Sequence, residues 1–180
     1  VDVNGIHKLA GEQYHLLYAK VHGLRCSVLR LTNTYGPRMR VKDDRQTFLG
    51  IWIRNLLSGK PLRIFGDGKQ LRDFNFVDDV LDALMLCASS DTATGKIFNL
   101  GSREVIDLAS LAALMIELHG QGSCEMIEFP GDRKRIDIGD YYSDCELIRR
   151  ELGWAPRVDL ATGLAQSLDY FDRHREHYWP

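Results

Sequence analysis

Residues 62–80 read Leu-Arg-Ile-Phe-Gly-Asp-Gly-Lys-Gln-Leu-Arg-Asp-Phe-Asn-Phe-Val-Asp-Asp-Val. Leu62, Ile64 and Phe65 are apolar and suited to a strand. Gly66-Asp67-Gly68 brings the positive-φ residues that a tight reversal needs. Phe74, Phe76 and Val77 resume the apolar pattern, and Asp78 or Asp79 is placed to cap a helix opened by Val80. The stretch therefore reads as strand, turn, strand, helix. Arg72 and Asp73 sit inside this apolar frame. A charged pair among aromatic residues needs partners, because burying an unpaired charge is costly.

Upstream, Ile6, Leu9, Ala10, Tyr14, Leu16, Leu17 and Val21 recur with helical spacing, and Gly23 stands where a helix would stop. Residues 25–32 form a short β-prone run, ended by turn residues at 33–38. Phe48, Leu49, Trp52, Ile53, Leu56 and Leu57 mark a second amphipathic helix that closes at Gly59 and Pro61. Downstream, the pattern predicts a helix over 79–88, a strand over 96–100, and a helix capped by Asp107 and stopped by Gly120. An edge strand follows at 124–129, then a charged loop over 130–142. A short helix capped by Asp144 and a last helix capped by Asp159 complete the chain. Strands alternating with helices give an α/β class with a mainly parallel sheet. Only 25–32 and 96–100 have the character of buried parallel strands, and two strands do not make such a sheet. Residues upstream, or a second copy of the chain, would have to complete it.

The 180 residues suit one domain, or one with a small appendage. A net charge of −2 offers no electrostatic attraction to nucleic acid or to a membrane surface. No apolar run approaches the ~20 residues of a membrane span. The first residues lack the apolar segment of a secretion signal, so the expected location is cytoplasmic. Cys26, Cys87, Cys124 and Cys145 lie far apart and read as buried free thiols. No histidine pair has metal-ligand spacing, and His174 and His177 lie in a charged tail that reads as a solvated face, so no metal is expected. The chain opens on Val1 with a helical pattern close behind, which suggests the back part of something longer.

Taken in order, the motifs resemble a known family. A helix with a lysine near its start precedes Leu-Arg-Leu-Thr-Asn-Thr-Tyr-Gly-Pro-Arg (29–38). Ile-Phe-Gly-Asp-Gly-x-x-x-Arg-Asp-Phe-x-Phe-Val-Asp-Asp-Val (64–80), Asn-Leu-Gly (99–101) and Glu-Leu-Gly-Trp-x-Pro (151–156) follow. This resembles the carboxy-terminal half of the extended short-chain dehydrogenase/reductases, the NAD-dependent epimerase/dehydratase family, over nearly the whole chain. The resemblance implies an incomplete Rossmann-type parallel sheet plus the small α/β substrate-binding domain. Residues 1–180 would be one structural unit. Within it, 1–38 and about 79–101 would be the remnant of the Rossmann sheet, and 39–78 and 102–180 would mainly bind substrate. The amino-terminal dinucleotide-binding half would be absent, since no Gly-x-x-Gly-x-x-Gly follows a strand.

The family's catalytic pair is Tyr-x-x-x-Lys, two residues one helical turn apart. Lys8 matches the lysine, which implies a catalytic and cofactor-binding place for it. Asn4 stands where the tyrosine would be, and an amide cannot serve as that acid and base. His7 points off that face, and Tyr14 and Tyr18 lie on the wrong side of Lys8. For substrate, the resemblance implies that Asn33 and Arg72 hold a diphosphate, that Leu62 and Phe65 line a base pocket, and that Arg38 and Arg40 assist. Without it, Asn33 reads as a strand-end turn residue and Arg72 as the partner of Asp73 or Asp78. A further family arginine is replaced by Phe129, and Arg133, beside Lys134 and Arg135, either supplies that charge or belongs to a solvated loop.

The implied function is the nucleotide-sugar-binding part of an NAD(P)-dependent epimerase or dehydratase, inactive without its cofactor-binding half. Its partner would be a nucleotide-diphosphate sugar. NAD or NADP would be the cofactor of the full-length protein, with none tightly bound to this chain. The alternative is a catalytically decayed binding or regulatory module, favoured by Asn4. A half sheet leaves apolar faces exposed, which predicts a homo-oligomer with the helix at 5–22 in its interface.

Overall fold

A computed structural model describes residues 3–42, 47–135 and 137–179, leaving aside the side chains of Asp132 and Arg133. In chain order the elements are α1 (Val3–His22), β1 (Val28–Leu31), β2 (Asn33–Tyr35), α2 (Phe48–Leu57), β3 (Leu62–Phe65), β4 (Leu71–Phe76) and α3 (Val77–Ser89). After a 3₁₀ turn at Asp91–Ala93 come β5 (Ile97–Leu100), β6 (Val105–Asp107), α4 (Leu108–His119), β7 (Cys124–Ile127), α5 (Gly131–Lys134), α6 (Glu146–Leu152), α7 (Leu160–Arg173) and α8 (Arg175–Tyr178). The α/β class is as the alternation predicts.

Residues 62–80 do form strand, turn, strand and helix, but the two strands are not partners. β3 pairs in parallel with β7, Leu62 opposite Cys124 and Phe65 opposite Ile127. β4 pairs in parallel with β2 and antiparallel with β6. Gly66 and Gly68, at φ 70° and 69°, hand the chain from one sheet to another. The turn is seated on α4: the Ala109 N–H donates to Gly68 O at 3.0 Å, and a Cβ on Gly68 would lie 3.1 Å from the Ala109 Cβ. Burial explains the separation. β3 alternates, with Leu62 and Ile64 buried, whereas β4 is buried along nearly its whole length and needs cover on both faces.

Two further readings are corrected. The run at 25–32 does not end in a turn at Asn33. After Thr32 the chain continues as β2, leaving the β1–β5 sheet to pair with β4, and the turn comes at Gly36, whose carbonyl accepts from the Met39 N–H. The cap of α3 is Phe76, two or three residues earlier than expected, with no side-chain cap bond. Asp79 lies inside the first turn, and its carboxylate accepts from the Arg157 and Val158 N–H groups at 3.0 and 3.1 Å. The caps at Asp107 and Asp159 hold: each carboxylate accepts the amide three residues on, from Ser110 at 2.8 Å and Thr162 at 2.7 Å. At α6 the capping acceptor is indeed Asp144, from Glu146 N–H at 2.7 Å, although Cys145 is the boundary residue. The charged loop at 130–142 contains the short α5, and β6 and α8 had no clear signal in the pattern.

Two apolar clusters result. The larger joins α2, β3, β4, α4 and α7 through Trp52, Ile53, Leu62, Phe74, Met115 and Phe171. The smaller is built on β5: Phe98 and Leu100 pack with Val80 and Ala83 of α3, Ile148 of α6 and Trp154. α1 stands apart from both. Ile6, Leu9, Tyr14, Leu17 and Val21 are each more than half exposed, and Glu12 is its one buried residue among those described. Of the thiols, Cys87 is buried, Cys26 and Cys145 are half-buried, and Cys124 is exposed, contrary to expectation, because it lies on the outward face of β7. His174 is half-buried rather than solvated, stacked on Tyr170 with ring centroids 4.4 Å apart. No helix among the described residues is long and apolar enough to cross a membrane.

Candidate functional site

The strand alternation of 62–80 aims charged and aromatic groups into one cleft of about 1090 Å³, between α2, the outward face of β3 and the end of β7. Leu62 and Ile64 point into the core, so Arg63 and Phe65 face the cleft instead. Phe65 meets Phe129 at a centroid distance of 5.4 Å, tilted by 41°. The opposite wall carries Trp52, whose indole N–H donates to Arg63 O at 3.1 Å, and Phe48, edge-on to Trp52 at 5.1 Å. Asn55 and Lys60 stand at one rim, Asn33 and Arg72 on the floor.

The charged pair that seemed out of place in the sequence is not a pair. Neighbouring strand residues point to opposite faces. Asp73 faces away from the cleft, fully buried, with Oδ2 accepting from the Ser102 and Ser143 N–H groups at 3.1 and 3.2 Å. Burial pushes its carboxyl above the usual range, opposed by those hydrogen bonds. Gly101 must approach this carboxylate closely, since a Cβ there would lie 2.7 Å from Asp73 Oδ2.

Arg72 faces the cleft and is 9% exposed. Its Nη1 donates to Leu71 O at 2.7 Å and to Gly139 O. Its Nη2 lies 3.8 Å from Asp137 Oδ1, an ion pair longer than a hydrogen bond. Residues 137–141 run along the edge of β4: the Tyr141 N–H donates to Leu71 O, and Asp140 accepts from the Leu71 N–H. Asn33 is held by its own amide, which donates to Asp73 O at 2.9 Å. A fixed guanidinium beside a fixed carboxamide, with aromatic faces a short way off, suits an anionic ligand carrying a flat ring.

Of the residues expected to bind substrate, the cleft brings together Asn33, Phe65 and Arg72. Leu62 lies beneath it in the core. Arg38 is exposed, with φ 67°, and does not line it. The side chain of Arg133 is outside the described residues. Trp52, Asn55, Lys60, Arg63 and Asp137 were not foreseen. Period-two alternation along β3 would have found Arg63, and an i, i+4 reading of α2 from Phe48 would have found Trp52.

Asn4, Lys8 and Glu12 follow one another at four-residue steps and so share a face of α1. Glu12 is buried and takes both Nε and Nη2 of Arg30 on β1, at 2.8 and 2.7 Å. The Arg30 hydrogen bond holds the Glu12 carboxyl below its ordinary range. This bidentate pair turns that face toward the sheet, although Asn4 and Lys8 themselves remain exposed. Among the described residues no group of His, Cys, Asp or Glu could hold a metal ion. The first turns of α3 and α4 are not free to cradle a pyrophosphate. The first turn of α3 carries Asp78 and Asp79, and the first turn of α4 is filled by the Asp107 carboxylate.

Residues 4–101, more than half of the chain, match the NAD dependent epimerase/dehydratase family. The chain belongs to that family. Among its relatives, a dTDP-glucose 4,6-dehydratase of Streptomyces griseus is 33% identical over 175 residues, covering 96% of this chain and 51% of that protein. The UDP-glucose 4-epimerase of Thermotoga maritima, solved with UDP-glucose, superposes with a TM-score of 0.83 at 29% identity, covering 95% of this chain and 53% of that one. The UDP-glucuronic acid 4-epimerase of Bacillus cereus, solved with UDP-glucuronic acid and NAD, gives 0.82 at 26% identity, covering 94% and 52%. The chain thus spans about half the length of the relatives it matches.

Proposed function

We propose that this chain supplies the nucleotide-sugar-binding side of an NAD(P)-dependent sugar epimerase or dehydratase. The observation that carries the reading is Arg72, a buried guanidinium held rigidly on the floor of a cleft walled by Phe65 and Phe129. In this reading the guanidinium takes diphosphate oxygens, the Asn33 amide supports them, and the aromatic wall receives the base. The nucleotide-sugar complexes of the relatives support it. In a complete enzyme NAD or NADP would accept and return a hydride at a sugar carbon. In this reading the described residues bind and orient the nucleotide sugar, and turnover would need the rest of a full-length protein to hold the cofactor.

Asn4 favours a second reading, a binding or regulatory module that has lost its chemistry. One experiment addresses both. Calorimetry with UDP-glucose, dTDP-glucose and a GDP-sugar is expected to show saturable binding of at least one, with no turnover on adding NAD. A folded protein that binds none would overturn the proposal. Turnover with Asn4 in place would overturn the second reading.

Assembly follows from α1, whose apolar residues are exposed along its length, as are Leu81, Leu84 and Met85 of α3. Such surface is costly in a monomer. A homo-oligomer is expected by light scattering, with Leu9→Glu or Leu17→Glu shifting it toward monomer. A monodisperse monomer of the unmodified chain would sink this idea.

A further inference from the structure

Arg72 is not alone on the cleft floor. Asp137 stands opposite its Nη2 at 3.8 Å, and the placement is built rather than incidental. Gly139, at φ 65°, turns the chain so that its N–H donates to Asp137 Oδ2 at 3.4 Å while its carbonyl takes Arg72 Nη1. Asp140 and Tyr141 then fasten the same segment to Leu71 on both sides. Asp137 Oδ1 is left facing the guanidinium from within the cleft lining. Of the other described cations that line the cleft, Arg63 is already paired with Glu125 at 2.7 Å, and Lys60 stands at the rim. The charge of Arg72 itself is therefore partly balanced by Asp137 before any ligand arrives.

We propose that Asp137 is a specificity-determining residue of this cleft, a built-in competitor for the anionic group that Arg72 receives. The inference rests on the nucleotide-sugar reading given above. A ligand oxygen that reaches Nη2 comes within a few ångströms of the Asp137 carboxylate, and like charges at that range in a partly dry site repel. The penalty grows with the ligand's charge. A nucleoside diphosphate esterified to a sugar has one ionisable oxygen fewer than the free nucleoside diphosphate. Asp137 thus disfavours the free nucleotide more than the sugar conjugate, biasing the site toward the intact nucleotide sugar.

The test uses the whole chain, with UDP, dTDP and their glucose conjugates as probes in calorimetry. Asp137→Asn keeps the shape and removes the charge. It is expected to tighten binding of the free nucleotide about tenfold, or about 1.4 kcal/mol, and of the conjugate by less, narrowing the ratio between them. Asp137→Ser repeats the measurement without an amide that could donate to the ligand, and a thermal melt of each variant checks folding. If the unmodified chain binds but both variants bind the free nucleotide equally or more weakly, Asp137 is no competitor and this inference alone fails. If no probe binds to any folded form, the reading of the cleft fails first and the inference with it.

Discussion

Arg72→Ala is expected to weaken nucleotide-sugar binding by at least a hundredfold. The guanidinium is nearly buried and its orientation is set by Leu71 O and Gly139 O before any ligand arrives, so little entropy is lost when it takes a phosphate. Hydrogen bonds to a charged group contribute about 1.5–3 kcal/mol each. Losing two corresponds to roughly a hundredfold or more. Arg72→Lys should recover only a small part, because an ammonium cannot reach a carbonyl and two phosphate oxygens at once. The folding cost is smaller. Leu71 O keeps the Tyr141 N–H as donor, so Gly139 O is the carbonyl most affected, at about 1–3 kcal/mol. Titration of UDP-glucose and dTDP-glucose into each variant, with urea melts alongside, separates the two effects. Binding of Arg72→Ala within threefold of the unmodified chain would remove Arg72 from the site.

The largest loss of stability is expected from Asp79→Ala. The carboxylate is 2% exposed and accepts from two backbone amides, Arg157 and Val158, while the Asp79 carbonyl accepts from the Trp154 indole N–H at 2.9 Å. Asp79 therefore ties the first turn of α3 to the chain that leaves α6. Removing the carboxylate leaves two donors without an acceptor, at about 1–3 kcal/mol each, and takes a negative charge from the positive end of a helix. A total of about 2–5 kcal/mol is a large share of the ~5–15 kcal/mol that holds a domain together. Asp78→Ala, exposed on the same turn, is expected to stay within about 0.5 kcal/mol. Urea denaturation of the pair gives the comparison directly, and equal midpoints for the two would discard this account of Asp79.

These two residues also show where local reading stopped. Asp79 was legible as an acid at a helix start, the usual place of a cap. Its real partners lie more than seventy residues later, and nothing within a few positions of Asp79 points to them. Arg72 was legible as an arginine needing a partner, and Asp73 and Asp78 were the nearest acids in the sequence. Pleating sends Asp73 to the opposite face, and a segment beyond residue 136 brings Asp137 instead. Leu62 was assigned to the cleft and Arg63 passed over. Which face of β3 meets solvent depends on β7 and α2, not on β3 itself.

The sequence alone determined the features that depend on a few neighbouring residues. The apolar period specified α1, α2, α4 and α7. Asp107 and Asp159 set the starts of α4 and α7, and Gly23, Gly120 and Gly153 the ends of α1, α4 and α6, the three glycines at φ between 66° and 79°. A capping bond or a left-handed residue acts within one turn, so its signal sits beside its effect. The order of motifs likewise carried the family. Tertiary structure decided which strands pair, that 62–65 and 71–76 belong to different sheets, and that Phe129 and Asp137 meet Phe65 and Arg72. Sheet hydrogen bonds and ion pairs join groups by distance in space. A strand's alternation says only that one face is buried, not what will cover it.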